Sequence, residues 1–465
     1  MTVDAEESRA CPHNHEAMQL TGGESRLDPD ILNNSFPFYR ALRKEAPVYF
    51  DEKLDVYLIS KHDDALSVLR DDINFSLEHG YQDRWANGHA EELEAILRRD
   101  SGVFVRDPAL DPPAHTRVRR LIEKAFTAHR VKSLEPRIRT IVGEVIDGLL
   151  LRGEADGRLD IGTAITARVV CDQLGFDFDE VGIDNFASWT TAWVAQMGRM
   201  QSHAEMLENA KEIIELQKYI VRKIRERETE PKEDLTSDIV HARLDDDANP
   251  TLSFEEQVAW VRALMIGGND TTATALANLM MILATRPDIA RTLHEIADDE
   301  LLVTRFADEV LRIEPPAHGL YRTAVNAVEV GGTMIPEGAQ VCILFASAND
   351  DDAVFAGPRD FDLDRKNSGR TLTFGAGIHR CVASALARVE VKIAAQEIIR
   401  RMDHIKLAIP EEELRYLPTL GTQTLDKVPI VFTRRAKRKS SPLRLPAKAG
   451  ALDRLRQAQD GRVWG

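Results

Sequence analysis

The longest helical pattern in this chain constrains its fold more than any other feature. It begins after Ser253, which together with Glu256 three residues later forms a capping box. It can continue without a break to Thr285, where Arg286-Pro287 ends it. At 1.5 Å per residue such a helix is about 48 Å long, enough to cross a large domain. The sequence therefore predicts a mainly α fold built around one central helix.

The centre of this helix is polar although its flanks are apolar. Residues 263–285 carry a single charged side chain, Asp270, and are long enough to span a bilayer. The run GGNDTT at residues 267–272 argues against a span, because an Asp at the bilayer centre costs about 2.5 to 3.5 kcal/mol. We therefore predict a buried helix with a reactive centre and no membrane-spanning segment.

The chain has 465 residues, which at roughly 150 residues per domain corresponds to two or three domains. No Pro/Gly/Ser-rich linker divides it, so we predict one large domain over residues 27–433. A polar, disordered extension (1–26) precedes it, and a basic extension (434–465) follows it. The run Cys11-Pro-His13-Asn-His15 in the first extension offers metal ligands, but a floppy tail explains it better.

Small β-sheets are expected beside the helices. Short strand signals occur at 47–50 and 56–60, and 328–330 with 339–344 resemble a hairpin around GGTMIPEG. The formal net charge of −16 argues against a general nucleic-acid binder. The four cysteines lie far apart and no signal peptide is present, which indicates a cytoplasmic protein without disulfides.

A glycine-rich loop ending in a cysteine carries the strongest chemical signal. It reads Phe374-Gly-Ala-Gly377-Ile-His379-Arg380-Cys381, and a helical pattern follows at once. Helix N-termini stabilise the thiolate form of cysteine, and glycines let the backbone pass close to a flat ligand. A buried structural cysteine beside a turn is the ordinary alternative for a lone Cys.

This loop resembles the cysteine-ligand loop of the cytochrome P-450 superfamily, Phe-x-x-Gly-x-x-x-Cys. The resemblance implies a cytochrome P-450 fold enclosing haem b (iron protoporphyrin IX), with Cys381 as the axial ligand of the iron and Phe374, Gly377 and His379 beside the cofactor. One departure is visible, because Ala383 stands where the family usually has glycine. We expect the small alanine to be tolerated.

The polar centre of the long helix resembles a second family motif, small-Gly-x-acid-Thr. Paired glycines allow a helix to loosen or bulge, and an acid followed by a hydroxyl can relay protons toward a bound oxygen species. The resemblance implies that Asp270 and Thr271 are the catalytic pair. The alternative is a helix kink with a solvent-facing Asp-Thr pair, which the apolar flanks disfavour.

Two further patterns follow the order that the family shows. Glu309 and Arg312 resemble its buried ion pair, but Pro358-Arg-Asp-Phe does not match the usual source of a third partner, so none is assigned. His115 and Arg119 are spaced i,i+4 on one helix face, which suits two donors to a carboxylate. The resemblance implies that they hold the haem propionates together with Arg322 and His379.

The resemblance implies a monooxygenase that inserts one atom of O₂ into a small-to-medium hydrophobic substrate, by hydroxylation or O-dealkylation. The C-terminal extension is below the ~40 residues that a domain needs, so a separate ferredoxin and ferredoxin reductase are expected to supply electrons. A peroxide-driven hydroxylase and a non-catalytic haem sensor are the alternatives. The Asp270-Thr271 pair argues against both.

Overall fold

The computed structural model describes residues 18–82, 85–104, 110–196, 201–245, 247–417 and 421–436. Helices dominate, as predicted. The α-helices of the described residues are α1 (Pro29–Asn33), α2 (Ser35–Glu45), α3 (His62–Arg70), α4 (Leu77–Gln82), α5 (Ala90–Ser101), α6 (Ala114–Glu123), α7 (Ala128–Leu149), α8 (Ala164–Leu174), α9 (Phe178–Val181), α10 (Ile183–Gln196), α11 (His203–Thr229), α12 (Leu235–Val240), α13 (Phe254–Thr285), α14 (Pro287–Ile296), α15 (Glu300–Ile313), α16 (Phe345–Asn349) and α17 (Ser384–Arg401).

The strands form three small sheets. They are β1 (Val48–Asp51), β2 (Val56–Ile59), β3 (Phe75–Ser76), β4 (Glu154–Asp156), β5 (Leu320–Ala324), β6 (Val328–Val330), β7 (Thr333–Ile335), β8 (Gln340–Ile343), β9 (Met402–Leu407) and β10 (Pro429–Arg434). The first sheet has the order β1-β2-β8-β5-β3, the second β4-β10-β9, and the third β6-β7.

The predicted hairpin of 328–330 with 339–344 is wrong, because β6 pairs with β7 and not with β8. Val328 pairs with Ile335, so β6 turns back immediately through the left-handed glycines Gly331 and Gly332. The second predicted strand, β8, runs parallel to β2 and antiparallel to β5 instead. Its four residues are all buried, so it belongs inside a sheet and not at the edge of a hairpin.

The central helix α13 is confirmed at both ends. The Ser253 side chain accepts from the backbone N–H of Glu256, and the Glu256 side chain accepts from the backbone N–H of Ser253. Its first half packs in one hydrophobic cluster through Val258, Val261 and Met265. Its second half, residues 275–283, packs in the other large cluster with α7, α15 and α17. The helix therefore joins the two halves of the core.

The expected loosening of α13 at the paired glycines does not occur, because the α-helix continues through Gly267 and Gly268. The irregular segment is a π-helical turn at Gly157–Thr163 that packs against α13. A Cβ on Gly162 would lie 2.6 Å from the carbonyl oxygen of Ala273. Within the described part of the chain, none of the helices combines the length and apolarity that crossing a bilayer requires.

The two residues before the predicted start of the domain at residue 27 have buried contacts. Ser25 and Arg26 are buried, and the Asp51 carboxylate accepts from the Ser25 hydroxyl at 2.8 Å and from the Arg26 backbone N–H at 3.0 Å. Residues 1–17 and most of the basic extension, 437–465, lie outside the described residues. Met1–Arg434 form one unit and 435–465 a second one.

Candidate functional site

The loop before α17 holds Cys381 in a fixed position. The backbone N–H of Cys381 donates to the carbonyl oxygen of Phe374 at 2.9 Å, which closes the loop. Gly377 has a φ of +69°, and a Cβ there would lie 2.3 Å from the carbonyl oxygen of Leu69. Glycine is therefore required at this position for its backbone conformation and for close contact with α3.

The thiol of Cys381 is accessible although protein surrounds it. The residue is exposed, yet burial raises the pKa of its thiol. A hydrogen bond from the backbone N–H of Ala383 and the charges of Arg119, Arg388 and Arg380 act in the opposite direction and lower that pKa. These groups favour the thiolate, the form of cysteine that binds metals.

Two details qualify the predicted loop. Ala383 has a φ of −90°, which any residue adopts, so the departure from the family pattern causes no strain. The helix α17 begins at Ser384, three residues beyond Cys381, so the cysteine lies before the helix and not on it. Phe374 is held by Arg388, whose guanidinium lies 4.4 Å from the centre of the ring.

Four side chains predicted to bind carboxylates do come together. The rings of His115 and His379 lie 4.3 Å apart between their centres. Burial and the charges of Arg322 and His115 lower the pKa of His379 to about 3. Burial and the charge of Arg119 lower the pKa of His115. Arg119 and Arg322 therefore bring positive charge to two imidazoles that resist a further proton, and Arg119 is also paired with Glu123.

This cluster fits the two propionate groups of a haem. His115 Nδ1 is buried and has no hydrogen-bond partner among the described residues. Such an atom costs free energy unless a ligand or water satisfies it. Arg119 also lies close enough to Cys381 for its charge to act on the thiol. Candidate anion-binding groups and the cysteine therefore lie in one region, as a haem bound through both would require.

The centre of α13 has an accessible turn among buried neighbours. Gly267 is exposed although Met265, Ile266 and Asn269 are buried. Val382, beside the cysteine, packs against the same hydrophobic cluster as this part of α13. The Thr271 hydroxyl donates to the carbonyl oxygen of Gly267 at 2.7 Å.

Asp270 points away from Thr271, as consecutive residues on a helix do. Burial raises the pKa of Asp270, while the charge of Arg158 and a hydrogen bond with Thr422 lower it. The loop that provides Thr422 thus reaches the central helix. Asn269 fixes the other side of this turn, since its amide oxygen accepts from the Thr166 hydroxyl at 2.6 Å.

The predicted Glu309–Arg312 pair is bidentate and buried, with N–O distances of 2.9 and 2.8 Å. Its third member, which the sequence did not reveal, is Arg365, whose Nε donates to the same carboxylate at 2.9 Å. No local pattern of the sequence marks Arg365 as this partner. Arg359, in the Pro358-Arg-Asp-Phe stretch of the sequence analysis, pairs with Glu314.

The cytochrome P-450 family model matches residues 81–413, about seven-tenths of the chain. The chain belongs to the cytochrome P-450 family. Cytochrome P-450 107B1 of Saccharopolyspora erythraea is 32% identical over 380 residues, covering 81% of this chain and 89% of that protein. The cytochrome P-450 monooxygenase PikC of Streptomyces venezuelae is 31% identical over 416 residues, covering 88% and 93% of the two chains.

Solved structures agree with this assignment. The cytochrome P-450 CREJ, solved in complex with (4-ethylphenyl) dihydrogen phosphate, superposes with a TM-score of 0.76 at 28% identity. The match covers 86% of this chain and 97% of that one. The protein is therefore an oxidoreductase of the cytochrome P-450 class, which uses haem, O₂, an organic substrate and a redox partner.

Proposed function

We propose that this cytochrome P-450 hydroxylates or O-dealkylates a small-to-medium hydrophobic compound, with haem b bound through Cys381 and electrons from a ferredoxin and its reductase. The observation that carries the proposal is the position of Cys381 within reach of the positive cluster. When bound, the haem supplies the reductive activation of O₂. His115, Arg119, Arg322 and His379 would hold its propionates, and Phe374 and Gly377 shape the loop on the thiolate side.

The residues of α13 are proposed to handle protons and water. The raised pKa of Asp270 suits a group that both takes up and releases a proton, because an acid works best when its pKa is near the working pH. The Thr271 hydroxyl lies on the accessible turn, where it can exchange its bond to the Gly267 carbonyl oxygen for one to a molecule bound beside the helix. Because the two side chains diverge, water would connect them.

Hydrophobic lining supports the proposed substrate class. Ala263 and Leu264 on α13 and Ala317 and Leu320 near β5 are partly accessible and apolar. His318 is buried between Tyr39 and Phe36, and its Nδ1 lies 3.2 Å from the Tyr39 hydroxyl. This placement favours a packing role for His318. Apolar walls bind compact organic molecules mainly by burying their surface.

A ferredoxin partner is supported by exposed basic groups. Arg380, next to Cys381 in the chain, is exposed, and so are Arg120 and Lys124 at the end of α6. Arg117 contributes less, because it forms an ion pair with Glu256 on α13. Ferredoxins are acidic, so a basic surface of this kind would speed their encounter, and salt would weaken the effect.

The experiment combines oxygen labelling with a salt series. A substrate found by binding spectra is turned over under ¹⁸O₂ with a ferredoxin and its reductase, and one labelled atom per product, or per aldehyde released on dealkylation, is expected.

First-electron transfer should slow as salt rises, and Arg380→Gln/Lys124→Gln should slow it more than the control Lys218→Gln on α11. Unlabelled product would refute the monooxygenase, and a rate independent of salt would refute electrostatic docking.

A truncation after Thr433 examines the basic extension in the same assay. The extension carries ten Lys/Arg and two Asp. If it contributes to docking, the truncated protein will show a slower first-electron transfer at low salt and a flatter salt dependence. An unchanged rate would show that the extension takes no part in electron delivery.

A further inference from the structure

We propose that His89, Glu92 and His203 form a surface binding site for a divalent transition cation of the Zn²⁺ type. One ligand atom from each of these residues lies within 4.8 Å of the others. Two imidazole nitrogens and a carboxylate oxygen are ligand types that Zn²⁺ takes in proteins, often with water in a fourth position. The haem site uses none of the three residues, so this inference does not rest on the proposed function.

The distances require only small adjustments to bind an ion. His203 Nε2 lies 2.8 Å from Glu92 Oε2, and His89 Nδ1 lies 3.8 Å from the same oxygen. The two imidazole rings have centres 4.5 Å apart and are inclined at 37°. Ligands of a tetrahedral Zn²⁺, at about 2.0–2.2 Å from the ion, are separated by about 3.3–3.6 Å. Rotations of the partly exposed side chains can therefore admit the ion between them.

The three ligands lie at the starts of two helices. Glu92 lies in the first turn of α5, and His89 immediately precedes that helix. His203 is the first residue of α11, whose start is held by a capping box between Ser202 and Glu205. The site therefore lies between the starts of α5 and α11. Binding of an ion would require movements of the three side chains and not of the backbone.

The cation would join the two helices at one end. Where α5 ends, Gln217 in the middle of α11 donates to the Ser101 hydroxyl at 2.6 Å and to the carbonyl oxygen of Val103 at 2.9 Å. The helix α5 therefore runs beside the first half of α11 in the same direction, with an amide contact at the C-terminal end of α5. A bound ion at His89, Glu92 and His203 would add a second connection at the near ends.

The local charges make one unfavourable and one favourable contribution to cation binding at this site. Helix N-termini carry partial positive charge, which disfavours a cation. The acidic side chains in the first turns, Glu91, Glu92 and Glu205, offset this charge. The His203–Glu92 contact is solvent-exposed, and exposed ion pairs contribute only about 0–1 kcal/mol, so little is lost when the ion opens it.

The test is calorimetric titration of the full-length, haem-loaded protein with ZnCl₂ after weakly bound metals have been removed by chelation. One Zn²⁺ per chain is expected at this site. His89→Ala and His203→Ala should each weaken its binding at least tenfold. His129→Ala, which removes an exposed histidine at the start of α7, is the matched control and should bind as the wild type does.

A second control separates this site from the other candidate ligands of the chain. The variant Cys11→Ser/His13→Ala/His15→Ala should still bind one Zn²⁺ with unchanged affinity. Loss of binding in that variant, no binding by the wild type, or unchanged affinity in both His89→Ala and His203→Ala would each overturn the proposal. Matching circular dichroism and haem spectra show that the variants are folded.

Discussion

At the residue scale, Thr271 has a hydroxyl whose effect can be isolated. Its hydroxyl donates to the carbonyl oxygen of Gly267 at 2.7 Å near the centre of α13, and Thr285 makes the same kind of bond to Met281 at 2.8 Å at the C-terminal end of the helix. Thr271→Ala should divert reducing equivalents to hydrogen peroxide and lower the yield of product per NAD(P)H several-fold. Thr285→Ala should leave this yield unchanged, and equal yields in both variants would remove Thr271 from the mechanism.

Asp270 is predicted to affect the rate and not the affinity. Burial raises the pKa of its carboxyl group, and the neutral amide of Asp270→Asn cannot exchange that proton. Turnover should therefore fall at least tenfold, which corresponds to about 1.4 kcal/mol in the barrier. Substrate dissociation constants from binding spectra should change less than threefold. A large change in affinity with unchanged turnover would assign Asp270 to substrate binding.

At the scale of elements, Arg365 connects the segment before the cysteine loop to α15. Its guanidinium bonds Glu309 and the carbonyl oxygens of Ala356 and Asp360. Removing one member of a buried ionic network typically costs about 3–5 kcal/mol. Arg365→Ala should lower the unfolding temperature and the haem content, whereas Arg370→Ala, which removes an exposed arginine, should have little effect. Equal behaviour of the two variants in thermal unfolding would contradict this role.

Helix α17 contains a buried carboxyl group that makes stability depend on pH. Burial raises the pKa of Glu390 to about 8, and its Oε2 has no hydrogen-bond partner among the described residues. The folded state keeps this proton between about pH 4.5 and 8 while the unfolded state has lost it. Stability therefore falls as pH rises through this range.

Glu390→Gln removes this loss, because the amide stays neutral. Each pKa unit corresponds to about 1.4 kcal/mol, so at pH 8 the variant should be more stable than the wild type by at least that amount. The difference should shrink toward pH 4.5. Glu413→Gln, at an exposed position, is the control. Denaturant unfolding that shows no dependence of the Glu390→Gln effect on pH would contradict the buried, protonated state.

At the scale of the whole molecule, the sequence predicted the features that short patterns determine. The capping box predicted the start of α13, and the spacing of the cysteine loop made Cys381 the candidate ligand. The sequence did not predict which elements pair or contact each other over long distances along the chain. Nothing local shows that β8 pairs with β2, or that Arg365 and not Arg359 completes the Glu309 network. The sequence predicted where side chains lie along their own element, and the fold alone decided which elements meet.

The same limit applies within the candidate site. The i,i+4 spacing placed His115 and Arg119 on one helix, but their meeting with His379, more than 250 residues later, depends on the packing of α6 against the cysteine loop. The paired glycines suggested a bulge that α13 does not have, because a glycine permits a distortion without requiring one. The sequence patterns did not predict the π-helical turn at Gly157–Thr163.

The central claim is that the thiolate of Cys381 holds the haem iron, and the spectrum of the ferrous–CO complex tests it most directly. Wild-type protein should give the red-shifted Soret band of a thiolate-ligated iron. Cys381→His should bind haem and give the band of an imidazole-ligated iron, with circular dichroism showing that the fold is kept. If the folded wild type lacks the thiolate band, or if Cys381→His retains it, Cys381 is not the ligand.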